Sequence, residues 1–272
     1  MQHVTDGALP PAARMTRPLA VIGLAASLGT PLAIDYWIMN VRWVWIEAFP
    51  DRAAIRPPTI SRAMADVPYG EAVALYLTVA AVLLVVSAAS VSILYLRSFD
   101  AIAAPARRPR LKALALGIVA IQVPVSLGVI LQSVYSLETN NQLHMTGSYM
   151  LFIAAGIGQV ISIGVASAML RLLAPDPMLR RRGLILPGMA RVRRVVATVA
   201  LLCAVVYLAL FIGKDFVDSA ALYQVYVWTE VALIAFLMAY LMLHAPDFAA
   251  ILMRRDPDAA ASKTPAMPAE GR

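Results

Sequence analysis

The chain has 272 residues, of which 61% are hydrophobic and 14% charged, with a mean hydropathy of +0.74. So little polar surface cannot cover a soluble globule of this size, and water is excluded as the main solvent. The net charge of +7 does not describe a nucleic-acid surface, because the basic residues stand in short clusters between apolar runs and suit anionic lipid headgroups instead. The single cysteine, Cys203, lies inside an apolar run and the three histidines are scattered, so neither a disulfide framework nor a zinc cluster is expected, and no cofactor or metal.

Residues 1–17, with Arg14 and Arg17, read as an N-terminal segment ahead of the first apolar stretch. That stretch, Leu19–Met39, is long enough to span a bilayer and is expected to stay as a helix rather than be cleaved as a signal peptide. Five more stretches follow, at about Ala72–Leu96, Ala113–Leu137, Gly147–Leu173, Val195–Ile212 and Ala220–Leu243. A hydrocarbon core of roughly 30 Å needs about 20 helical residues, and these runs meet that length or nearly so. Each is apolar all round rather than alternating, which predicts α-helices and argues against a β-barrel. The expected fold is all-α: a polytopic bundle of six transmembrane helices over residues 18–248, followed by an Ala/Pro-rich tail, 249–272, expected to be disordered.

Lysine and arginine set the orientation. Two precede the first helix, five lie between the second and third, seven run from Arg171 at the end of the fourth to the start of the fifth, and four follow the sixth, so 18 of the 23 share one side. That side is expected to be the cytoplasm, with both termini on it. Its clusters Arg107, Arg108, Arg110 and Arg180, Arg181, Arg182 read as topology determinants that touch anionic lipid.

Polar groups within spanning helices are costly and face the bundle interior or a water-filled cavity. Glu230 lies ten residues into the sixth helix, Asp35 lies in the outer part of the first, and His144 stands just before the fourth with Glu138, Asn140 and Asn141 ahead of it. Gln122, Gln132, Gln159 and Ser162, with small residues such as Gly147, Gly156 and Gly158, read as helix-packing groups. For Glu230 a helix-packing carboxylate and a functional acid both remain open. His144 needs an orienting carboxylate to act as a base.

The first outer loop reads Pro57-Pro58-Thr59-Ile60-Ser61, His144-Met145-Thr146-Gly147 opens the fourth helix, and Trp228-Thr229-Glu230 lies in the sixth. In this order they resemble the P-x-I-S element, the H-x-x-G element and the acidic residue of the Frag1/DRAM/Sfk1 family, which includes the DRAM autophagy modulators and a factor of GPI-anchor lipid remodelling. Ser61 is followed by Arg62-Ala63 rather than the Asp-Thr-Gly often seen there. The resemblance implies a role with lipids, with Ser61, His144 and Glu230 as the carried-over positions. It also suggests a polar headgroup pocket on the non-cytoplasmic side formed by Asp35, Glu138, Asn140, His144 and Glu230. Three readings follow: a lipid binder or organiser, with membrane lipids as partners; an acyltransferase or hydrolase with His144 as base and Ser61 or water as nucleophile; and a small proton-coupled transporter using Glu230. The Ala- and Arg-rich composition points to a bacterial inner membrane.

Overall fold

The computed structural model describes residues 15–66, 70–135, 137–173, 184–214, 216–217 and 219–253. Among them the secondary structure is helical throughout. Six helices are long and apolar enough to cross a membrane: α1 (Arg17–Ala48), α4 (Gly70–Ile102), α5 (Arg108–Val134), α6 (Leu137–Leu173), α7 (Pro187–Gly213) and α8 (Ala220–Met242). The short helices α2 (Pro50–Ile55) and α3 (Ile60–Asp66) fill the link from α1 to α4, and α9 (Ala245–Met253) follows α8. The predicted six-helix bundle is therefore the fold.

Most of the helices outrun the apolar runs that announce them. α1 continues past Met39 to Ala48 because Ile34, Ile38, Val41, Arg42 and Trp45 keep a single inward stripe at three- and four-residue spacing. α6 turns sharply at Asn140 (φ −158°, ψ 87°), whose Oδ1 accepts the Leu143 amide at 3.1 Å and caps the spanning part. His144 accordingly lies one turn inside that helix, not before it. At the far end, α9 extends helical structure to Met253, and its Phe248 and Ile251 are buried, so the packed chain runs five residues beyond 248.

The spanning helices form a closed ring in chain order: α1 packs on α4, α4 on α5, α5 on α6, α6 on α7, α7 on α8, and α8 back on α1. Along α5 and α6 the paired positions run in opposite directions, from Leu114 against Gly164, through Gly117 against Ile161 and Ile121 against Gly158, to Gly128 against Gly147. Both ends of the described chain meet at one end of the ring, where the Phe248 ring fills the space beside Gly23. Outward-facing side chains such as Leu75, Val79, Leu202 and Val205 are more than half exposed, an arrangement that lipid solvates and water does not.

Lipid tails are as apolar as leucine, so close backbone approach and polar ties must hold the ring. At the α5/α6 crossing a Cβ on Gly128 would stand 2.6 Å from both the Gly147 carbonyl oxygen and the Leu151 nitrogen. Ser126 donates to the Ala81 carbonyl at 2.9 Å and Ser92 to that of Ala115 at 2.9 Å, tying α4 to α5. At the terminal end the fully buried Arg193 of α7 pairs with the fully buried Asp247 of α9 and donates to the Leu243 carbonyl at 3.2 Å. Asp247 also accepts the Leu186 amide at 2.7 Å, so one carboxylate fastens the start of α7 to α9.

Two outcomes follow. Gly128→Val should lower the midpoint of thermal unfolding in detergent by an amount corresponding to about 3 kcal/mol or more, because the obstructing atoms are backbone, whereas Gly156→Val, with nothing within 4 Å of its Cβ, should leave it near wild type. Asp247→Ala, which strands a buried guanidinium, should cost about 3–5 kcal/mol, and adding Arg193→Leu should restore part of that loss in the same assay.

Candidate functional site

At the end of the ring away from the termini, the α1–α4 link folds back over the bundle. The inward stripe of α1 carries Arg42, which is 3% exposed and donates to the Pro58 carbonyl at 2.5 Å while its guanidinium lies 5.5 Å from the centre of the Trp228 ring. Thr59 then caps α3, its Oγ1 accepting the Arg62 amide at 3.2 Å. The Ile60 amide, at the first position of α3, donates to Glu230 Oε2 at 3.0 Å. Glu230 is thus buried with a backbone donor and the opposing charge of Arg42 around it, as a carboxylate inside a spanning helix requires. At the other end of α3 the Trp45 indole donates to Asp66 at 3.0 Å. Pinned at both ends, α3 touches α1, α4, α5, α6 and α8 and plugs the mouth of the ring.

Above the plug is a chamber of about 580 Å³. Ser61, His144 and Glu230 all stand on its wall, together with the cations Arg56, Arg62 and Lys214 and the carboxylate of Asp66. Phe152, Tyr207, Phe211 and Tyr226 form an aromatic side, with Tyr207 and Tyr226 stacked 5.3 Å apart and their hydroxyls 3.3 Å apart. Arg56 lies over Tyr223 and Lys214 over Phe211, at 5.4 and 5.0 Å from the ring centres, so aromatic faces hold these cations at the chamber.

His144 is 2% exposed, and its Nδ1–H donates to the Tyr135 carbonyl at 2.8 Å. That bond fixes the tautomer of the neutral ring and gives the lone pair to Nε2. One turn on, Ser148 donates to the His144 carbonyl at 3.1 Å and accepts from Gln132 at 2.5 Å, joining α5 to α6 beside the chamber. Ser61 Oγ lies 3.3 Å from Thr59 Oγ1. Below the plug, Ile60 and Met64 of α3 face a narrow apolar crevice of about 120 Å³ along the ring axis, lined by every spanning helix except α7.

Two other sequence candidates lie elsewhere. Asp35 is half-buried on α1 and does not line the chamber: each residue turns a helix by about 100°, so the position after the inward-facing Ile34 points aside. Asn140 is exposed and serves as the α6 cap. The side chain of Glu138 lies outside the described residues, as do Arg180, Arg181 and Arg182. At the terminal end Arg107 and Arg110 are exposed, and Arg108 is half-buried with its Nε donated to the Ala103 carbonyl at 2.8 Å.

Arg42, Arg56 and Lys214 were not singled out by sequence reading. For Arg42 a signal existed, because it falls four residues after Ile38 on the apolar stripe; Arg56 and Lys214 lie near helix ends where periodicity carries no directional information.

A ring of six helices long and apolar enough to cross a membrane defines a polytopic membrane protein. The family model described as Frag1/DRAM/Sfk1/Cwh43P N-terminal domain matches residues 19–251, and the chain belongs to that family. No curated protein and no solved structure matches it.

The structure assigns distinct tasks to the shared motifs: Pro58, Thr59 and Ile60 fasten α3, Gly147 permits the α5/α6 crossing, and Glu230 receives the α3 amide. Glu230→Gln should therefore loosen α3, because a neutral amide leaves Arg42 buried without its counter-charge. In a Cys203→Ser background, maleimide modification of Ser61→Cys should accelerate roughly tenfold or more when Glu230→Gln is added, the equivalent of losing one charge-assisted hydrogen bond.

Proposed function

We propose that the protein binds or organises a membrane lipid, taking an anionic headgroup into the chamber on the non-cytoplasmic side of a bacterial inner membrane, with both termini in the cytoplasm. The observation that carries this reading is the convergence of Arg56, Arg62 and Lys214 with the buried His144 on one chamber directly above an apolar interior. Among the described residues the three cations face two carboxylates, Glu230, which holds the Ile60 amide, and Asp66, which holds the Trp45 indole and pairs with Arg62 at 3.8 Å, so the lining keeps an excess of positive charge that suits a phosphate. The positive-inside count supports a chamber on the side away from the cytoplasm, and the exposed Arg107 and Arg110 at the other end suit anionic lipid of the inner leaflet.

A second reading, a lipid acyltransferase or hydrolase, draws support from the His144 tautomer. With Nδ1–H committed to the Tyr135 carbonyl, Nε2 has the lone pair needed to take a proton from water or from Ser61. Protonation of a lipid leaving group by the same ring would complete the cycle.

Reconstitution separates the two. Phosphatidylglycerol should bind more tightly than phosphatidylcholine in native mass spectrometry, and Arg62→Gln or Lys214→Gln should weaken it by roughly tenfold each, the loss of one charge-assisted hydrogen bond. Equal binding of the two lipids would sink the headgroup reading. A lyso-lipid, fatty acid or acyl-exchanged product formed by wild type and abolished in a stably folded His144→Ala variant would establish the enzyme. Sidedness is checked with Ser61→Cys in the Cys203→Ser background, which a membrane-impermeant maleimide should label in intact spheroplasts.

A further inference from the structure

Phe152 of α6 borders three spaces. Besides the chamber and the crevice, it lines a hollow of about 280 Å³ on the bilayer-facing side of the ring, between α6 and α7. Ile153, Gly156 and Val160 form one wall at helical spacing, and Ala204 and Val205 form the other. The hollow exists because Gly156 and Ala204 contribute so little side chain; a Cβ at 156 would meet nothing within 4 Å. Its partition from the chamber is the Phe152 ring, which packs on Tyr207 of α7 with 4.4 Å between ring centres. α7 is the loosest of the spanning helices: 17% of its most apolar segment is buried, and it contributes nothing to the central crevice.

Resting on the headgroup reading above, we propose that this hollow seats an acyl chain of the lipid whose phosphate occupies the chamber, with the Phe152–Tyr207 pair as the partition the chain passes. Size excludes the crevice as the seat. The crevice of about 120 Å³ is smaller than the roughly 150 Å³ cavity that holds one benzene, whereas a chain in the hollow continues into the bilayer without needing a closed volume. Direction agrees as well. Phe152 lies twelve residues, roughly 18 Å, along α6 from its Asn140 cap, and the hollow runs on from there to Val160, so a headgroup above Phe152 places its chain toward the bilayer midplane. Transfer of a chain from lipid to this wall gains no hydrophobic free energy, because both surroundings are apolar. The hollow therefore selects by shape, through close contact with Gly156 and Ala204.

The test uses the full chain in liposomes with a phosphatidylglycerol that carries a diazirine in mid-chain, cross-linked by light and mapped by mass spectrometry. Cross-links should concentrate on residues 152–160 and 201–208, be competed by unlabelled phosphatidylglycerol, and fall roughly fivefold in Gly156→Leu, which fills the hollow from a position where a Cβ meets nothing within 4 Å. Val205→Trp, at a lipid-exposed position, should act in the same direction and guards against a fault peculiar to Gly156. Binding of soluble glycerol 1-phosphate should be unchanged in both variants and weakened by Arg62→Gln.

If glycerol 1-phosphate binds in an Arg62-dependent manner but the cross-links scatter over all lipid-facing helices or ignore both filling variants, the acyl seat is overturned and the headgroup reading stands. If wild type binds neither probe in an Arg62-dependent way, the headgroup reading itself fails and the acyl seat with it. Dimers formed through this face and lost in Gly156→Leu would overturn the proposal in favour of a second copy as the occupant.

Discussion

A carboxylate ten residues inside a spanning helix must find donors or be expelled, and the half of this molecule away from the termini is organised around how Glu230 finds them. The Ile60 amide and the charge of Arg42 reach it from the link between the first two spanning helices. That requirement draws the link down into the ring mouth, where Arg42 also holds the Pro58 carbonyl. The same bonds that satisfy a buried charge thus set a short helix as a plug, with Ser61 turned to a polar space above it and Ile60 to an apolar one below. An amphiphilic cavity is the geometric consequence.

The terminal end obeys the same rule with a different pair. Arg193 stands on the inward stripe of α7 with Ala190, Ala197 and Ala200, and Asp247 reaches it from α9. Removing two charges from water is unfavourable, and such a pair adds specificity of arrangement rather than much net stability. Here it determines where the last helix turns back, so that Phe248 meets Gly23 and the ring closes at that end. Between these two polar anchors the helices are held by glycine crossings and serine hydroxyls, which suits a bundle that lipid surrounds and where outward apolar side chains contribute nothing to cohesion.

Within that frame the loosely packed α7 differs from its neighbours. Five spanning helices surround the axial crevice and are locked to one another or to the plug, while α7 takes no part in that crevice, is tied to α9 at the terminal end, and shows most of its apolar surface to lipid. The lipid-binding role proposed above needs one seam that opens without dismantling the core, and the α6/α7 seam, where the ring is least tightly packed, is the one that suits it. Aromatic side chains line it on the chamber side, where flat rings can turn about two torsions without displacing backbone.

The sequence by itself determined the solvent, the class and the number of spans, because twenty consecutive apolar residues have one stable solution in a bilayer and six runs meet or approach that length. It also marked Ser61, His144 and Glu230 through short motifs, and the folded chain brings those three positions, 169 residues apart at the extremes (61 to 230), to one cavity wall. Hydropathy could not tell that α1 continues past Met39, since a polar residue on an inward stripe lowers the average just where the helix carries on; Arg42 and Arg193 were hidden for that reason. Nor could it separate Asp35 from Glu230, because both are acids in apolar runs, and only rotation about the helix axis and the neighbour across the gap decide which faces the cavity. Partners such as the Ile60 amide for Glu230 or Asp247 for Arg193 arise from chain segments 170 and 54 residues away, so the tertiary structure alone decided them.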